Sequence, residues 1–141
     1  MRIPQIDQKI GQLIDQYGVR DPYCLANYLD VIIVEENLKD IYGYYSKMNR
    51  IKLIHLNSSM DENFKRFTCA HELGHSILHP NENTPMLSKA SIVSELKIEK
   101  EANYFATHLI VDYGNYEVEY LTDYQKLGYY GLSEEFNRYL Y

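Results

Sequence analysis

The sequence predicts an α+β fold: a small, mostly antiparallel three-stranded sheet packed on a central helix and a second polar-bearing helix, with short helices at both ends. Three observations carry this reading. Segments with apolar residues at helical spacing flank a run of three short stretches rich in β-branched and aromatic residues. One segment, RFTCAHELGHSILHP at 66–80, is apolar on nearly every side yet contains histidines and a glutamate. Its length and composition fit one globular domain over residues 1–141, with 45% apolar residues available for a core.

Ile6, Ile10, Leu13, Ile14 and Tyr17 recur at helical spacing, and Gly18 is suited to a left-handed C-terminal cap. Asp21 then resembles an N-cap with Pro22 at the first helical position, opening a short helix that stops near Asp30. VIIV at 31–34, YGYY at 42–45 and IKLIHL at 51–56 read as strands. The polar SKMNR between the last two predicts an antiparallel hairpin. Ser59 and Glu62 have the spacing of a capping box and Pro80 bars continuation, so the next helix is expected from about Met60 to His79. A loop over 80–91 leads to a helix from Ser91 or Ser94 to Asp112, with an apolar arc of Ile98, Ala102, Phe105, Ala106 and Leu109. Ser133 is a plausible cap for a last short helix in GLSEEFNRYL at 131–140.

A formal charge of −6, with 14 Lys and Arg against 20 acids, argues against nonspecific nucleic-acid binding, though a basic protein partner is compatible with it. The two cysteines, Cys24 and Cys69, make no disulfide framework. Neither a signal-like apolar run at the N-terminus nor a membrane span is apparent, and the expected location is the cytoplasm.

His71, Glu72 and His75 spell HExxH. On a helix the imidazoles fall about 40° apart and one turn from each other, so their nitrogens can converge on one cation. Glu72 stands beside that face, placed to be general base toward a water on the cation. Gly74 removes a side chain where another backbone or the metal must come close. A catalytic zinc keeps three protein ligands and an open position. A third histidine three residues beyond a glycine is excluded, because Leu78 and Asn81 occupy those positions. His79 lies too far around the helix, and as a helix-end residue it is expected to bond free carbonyls.

The later helix offers Glu99 within its apolar arc, where a carboxylate requires a counter-charge. Glu99 is therefore the preferred third ligand, with Glu101 and Glu95 as alternatives. Asn103, one turn after Glu99, is placed to hydrogen-bond the outer nitrogen of a ligating histidine, with solvent exposure as the alternative. His108 points away from the Glu99 side and reads as a surface histidine.

With AHELGHSILH at 70–79 and EKEANYFATHLIV at 99–111, the sequence resembles the ImmA/IrrE family of zinc metallopeptidases, whose pattern joins an AHELGH-type helix to a downstream E-x-x-A-x-x-F-A helix. The likeness extends over most of the chain. It implies a zincin-like, gluzincin-type domain with Zn2+ held by His71, His75 and Glu99, and Glu72 as the catalytic residue. It further implies a bacterial, phage or mobile-element protease whose substrate is a DNA-binding repressor. THLIVD at 107–112 departs from the leucine-rich segment ending in Met-Pro of many members. No appended DNA-binding or sensor module is expected here. A competing reading is a zinc-containing module that docks a repressor or a toxin-antitoxin partner without cleavage; an intact Glu72 weighs against it. If the site is a protease, substrate is expected to lie as an added strand along a sheet edge, with IKLIHL as a candidate edge or else an internal strand.

Overall fold

The computed structural model describes residues 1–140. Helices α1 (Pro4–Tyr17) and α2 (Pro22–Tyr28) precede strands β1 (Val31–Glu36), β2 (Gly43–Met48) and β3 (Ile51–Asn57). Helices α3 (Glu62–Leu78), α4 (Lys97–Ile110) and α5 (Asp123–Tyr129) follow, with 3-10 helices at Lys89–Val93, Tyr116–Val118 and Glu134–Tyr139. The two N-terminal helices end and begin where their cap residues predict. Gly18 is left-handed at φ 72°, and the Asp21 carboxylate accepts from the Cys24 N–H at 3.0 Å.

The strand order is β1-β3-β2. The β2–β3 pair is the expected antiparallel hairpin, but its turn is shorter than SKMNR. It is confined to Asn49 and Arg50, whose positive φ values of 49° and 71° suit a two-residue turn. β3 pairs parallel with β1, Val34 opposite His55, so the sheet is mixed. The reason is geometric. Because β2 runs back along the outside, β3 returns in the direction of β1 and inserts between the two. IKLIHL is therefore internal, and the free edge near the site belongs to β2.

Helix α3 starts at Glu62 rather than Met60, capped by Asp61, whose carboxylate accepts from the Phe64 N–H at 2.9 Å. The expected capping box does not form, because Asp61 takes the N-cap position, while the Ser59 hydroxyl donates to the Asn57 side-chain oxygen at 2.8 Å. From Phe67 to Ser76 every residue of α3 is buried, enclosed by α2, α4, β2 and β3. Continuous burial explains why this helix is apolar on both sides.

The chain between α3 and α4 is not one long helix N-terminus. Ser88 and Ser91 cap one another in the 3-10 helix Lys89–Val93, and α4 begins only at Lys97. Glu95 thereby falls outside α4 and ion-pairs with Lys100 and Arg138 at the surface. At the other end of α4, the Arg20 guanidinium donates to the carbonyls of His108 and Leu109, each at 3.1 Å. Helix α5, unread in the sequence, begins at a reciprocal capping box between Thr122 and Gln125. The last 3-10 helix starts after Ser133 as expected, without a side-chain cap bond, and buries Phe136 and Tyr139. Among the described residues no helix is long and apolar enough to cross a membrane.

Gly43 sets how closely β2 approaches α3. A Cβ there would stand 2.5 Å from the His55 carbonyl oxygen and 2.6 Å from the Thr68 methyl. Backbone cannot yield to it. Gly43→Ala is expected to lower unfolding free energy by about 1–3 kcal/mol in urea denaturation; an unchanged midpoint would show that the contact relaxes without penalty.

Candidate metal centre

Four polar side chains meet in the interface of α3 and α4. His71, Glu72 and His75 come from α3 and Glu99 from the first turn of α4, and none is more than 1% exposed. Helical spacing turns the two imidazoles to one side, with ring centroids 4.8 Å apart. The Glu99 Oε1 lies 2.8 Å from the His75 Nε2 and 3.5 Å from the His71 Nε2. Donor atoms of His71, Glu72 and His75 also lie within 4.8 Å of one another. Glu99 is thus the acid that faces both imidazoles. Glu95 is remote, and Glu101 turns instead to His79, its Oε1 3.0 Å from the His79 Nε2.

Hydrogen bonds behind the site decide how His71 presents itself. Asn103 is buried, and its amide nitrogen donates to the Ser91 carbonyl at 3.1 Å and to the Tyr139 hydroxyl at 3.2 Å. Its carbonyl oxygen is then left to face the His71 Nδ1, 2.8 Å away. An amide oxygen only accepts, so His71 carries a proton on Nδ1, and Nε2 is the nitrogen turned toward Glu99 and available to a metal. That Nε2 has no hydrogen-bond partner, and neither has Glu99 Oε2. Buried atoms of this kind require a partner.

A divalent cation meets that requirement. Ligands on a tetrahedral zinc, each about 2.0–2.2 Å from the ion, are about 3.3 Å apart, close to the spacing found between Glu99 and His71. Two imidazole nitrogens and one carboxylate oxygen form a donor set suited to zinc, with a further position open. The residues therefore fit the ion.

Glu72 is not part of that triangle. Both its oxygens are buried without a hydrogen-bond partner, and it faces the backbone of Tyr45 on β2. Burial pushes its carboxyl up to about 8, with Glu99 adding to the rise while His71 opposes it. Burial also works against charge on Glu99, but the two imidazoles outweigh it and hold that carboxyl down at about 2. Desolvation, helped by His71, holds His75 at about 4 against the pull of Glu99. A carboxyl that holds its proton into the neutral range beside one that stays ionised is a suitable division of labour for acid-base chemistry.

Three expectations about nearby residues change. What comes close at Gly74 is a side chain: its missing Cβ makes room for the Phe105 ring, 3.0 Å from where that atom would be. His79 bonds no free carbonyl with its ring, which is occupied by His75 and Glu101. His108 is mostly covered, its Nε2 donating to the Tyr139 carbonyl at 2.6 Å. The sequence reading missed Tyr139 and Ser91, which lock Asn103. No spacing rule links them to it, because they reach it from separate elements.

Alternation along β2 completes the surroundings. The Tyr42 carbonyl accepts from Asn57 on β3, whereas Gly43 turns outward to pair with Leu87. The peptide groups of Tyr45 and Lys47 consequently face away from β3. Beside them lies a polar cleft of about 430 Å³ between β2 and the segment from Pro80 to Thr84.

An HExxH helix faced by a glutamate from a second helix, beside a free strand edge, is the architecture of a metallopeptidase of the zincin class. A peptidase family described as the IrrE N-terminal-like domain matches residues 26–139, and the chain belongs to that family. It is 38% identical over 107 residues to an uncharacterized immunity region protein 2 of Bacillus phage phi105, covering 75% of this chain and 68% of the relative. It is 31% identical over 108 residues to metallopeptidase ImmA of Bacillus subtilis (strain 168), covering 75% of this chain and 63% of that protein. The match thus spans about two thirds of either relative's length.

The raised Glu72 carboxyl generates a pH signature in the metal-free chain. Between about pH 4.5 and 8, folded Glu72 keeps a proton that the unfolded chain, at 4.5, has released. Stability therefore falls as pH rises through this window. Thermal melts should show a steeper fall for the wild type than for Glu72→Gln; parallel curves would contradict the raised carboxyl.

Proposed function

We propose that residues 1–141 form a single zincin-like domain acting as a zinc-dependent endopeptidase. His71, His75 and Glu99 are its Zn2+ ligands and Glu72 its general base. The observation that supports this most is the pair of committed and open ends on His71: Nδ1 is fixed by Asn103 while Nε2 faces the buried Glu99 carboxylate without a hydrogen-bond partner. A structural site would more often close its last position with Cys or His, whereas here the remaining nearby group is Glu72, with both oxygens free.

Zinc held by His71, His75 and Glu99 would supply a positive charge that polarises the scissile carbonyl and acidifies water. Glu72 would take a proton from the attacking water as the water oxygen adds to the carbonyl carbon. The same carboxyl then gives the proton to the departing nitrogen as the C–N bond breaks, so the residue ends as it began. Asn103 keeps the His71 proton away from the reacting side. The outward peptide groups of Tyr45 and Lys47 are placed to pair with an extended substrate segment, which the polar cleft would admit.

The substrate class we infer is a DNA-binding repressor of a phage or mobile element, cleaved in the bacterial cytoplasm. The immunity-region name of the phage phi105 relative and the metallopeptidase name of the Bacillus subtilis relative support this reading. An acidic chain of charge −6 also suits a partner whose surface is basic enough to bind DNA.

The purified chain, incubated with the repressor from its own immunity region, should produce discrete fragments by mass spectrometry when zinc is present and none with chelator. Glu72→Gln should retain zinc and lower the rate by about 10²–10⁴-fold. Cleavage surviving that substitution would remove Glu72 from the mechanism. A stable complex with intact repressor under every condition would favour docking without cleavage.

A further inference from the structure

His79 ends α3 one turn beyond His75, outside the HExxH pattern. Its ring is 6% exposed and joins two other residues in a chain. The His79 Nδ1 is 2.9 Å from the His75 Nδ1, and its Nε2 is 3.0 Å from the Glu101 Oε1. With both rings neutral and the His75 Nε2 lone pair reserved for a metal ion shared with Glu99, only one placement of protons satisfies the two contacts behind it. The ionised carboxylate of Glu101 accepts and cannot donate, so the His79 Nε2 carries the proton. The His79 Nδ1 is then a lone pair, which the His75 Nδ1–H must meet. The reverse placement would set two lone pairs against each other.

This arrangement leaves the His75 Nε2 lone pair directed at Glu99 and the side where His71 also points. Helix α4 therefore reaches His75 from both ends. Glu99 faces its front nitrogen, while Glu101, two residues later, reaches its rear nitrogen through the His79 ring. His71 is backed differently, by the neutral amide of Asn103. An imidazole hydrogen-bonded to an anion makes the stronger acceptor, and it passes electron density to the ring in front of it.

We propose that His79 and Glu101 are positioning residues that hold His75 in its metal-binding tautomer and orientation and raise its strength as a ligand. The proposal rests on His75 being a zinc ligand. Glu101 acts only through His79, and the two substitutions should therefore not add.

The test measures zinc affinity of the full chain by chelator competition and the visible spectrum of the Co2+-loaded chain, with the melt of the metal-free chain as a control for folding. His79→Ala should weaken zinc binding about 10–100-fold and shift the cobalt bands. His79→Gln, whose amide oxygen can accept from the His75 Nδ1–H, should recover most of that loss. Glu101→Gln should cost less than His79→Ala, and adding it to His79→Ala should change nothing further. Wild-type affinity and spectrum in folded His79→Ala, with zinc abolished by His75→Ala, would overturn the positioning role alone. Additive losses would overturn the chain. Should His79→Ala not fold, Glu101→Gln decides by itself, and an unaltered affinity and spectrum would sink the proposal. Zinc binding indifferent to His75→Ala would remove the ligand assignment and this inference together.

Discussion

The structure depends on one buried meeting of unlike groups, a carboxylate from α4 set against two imidazoles from α3. Each group alone would be expensive to remove from water. Together they form a cluster whose charges and lone pairs balance one another, and whose donor set suits a cation. The surrounding fold is arranged to bring the two helices this close. Phe105 fills the space that Gly74 leaves, and Ala102 and Ala106, both with 0% exposure on the Glu99 side of α4, keep that side of the helix low. Small residues at the crossing are therefore as necessary as the polar ones.

Orientation comes from outside the cluster. A neutral imidazole has one proton, and whichever nitrogen loses the competition for it becomes the ligand. Asn103 settles that competition for His71 only because its own amide is held by Ser91 and Tyr139. The Tyr139 hydroxyl in turn donates to the Ile92 carbonyl. A 3-10 helix before α4 and another near the end of the described chain thus meet behind the same histidine. The C-terminal segment is connected to the site by hydrogen bonds as well as by the packing of Phe136 on Phe67.

What was legible in the sequence is what helical periodicity fixes. His71 and His75 share a face because they are four residues apart, and Glu99 and Asn103 do so for the same reason. The α+β class and the hairpin were legible from short β-branched runs and a polar turn. What stayed hidden was decided by competition between partners distant in sequence. Ser59 could cap α3, but Asp61 took the N-cap position, while the Ser59 hydroxyl donates to Asn57. Glu101 looked like a spare ligand on the wheel, which carries no information that His79 stands nearby from another helix. Strand order was equally hidden, since IKLIHL has the same composition whether it is flanked on one side or two. Thr122 and Gln125 did carry a local signal for α5, and it went unread.

Mixed strand order has a consequence for the proposed chemistry. With β3 inserted in the middle, the strand beside Glu72 is β2, whose inner peptide groups are used by β3 and whose outer ones begin free only after Gly43. Leu87 occupies the edge up to Gly43, and Tyr45 is the next residue to present its peptide group outward. It is also the residue whose backbone faces Glu72. An added strand would therefore have to start where Leu87 leaves off, placing its first main-chain contact next to the general base. Gly43 makes that juxtaposition sterically feasible, because a side chain there would drive β2 away from Thr68 and from the helix that carries Glu72. The register of the proposed substrate strand against Glu72 would in this sense be set by a glycine that touches neither.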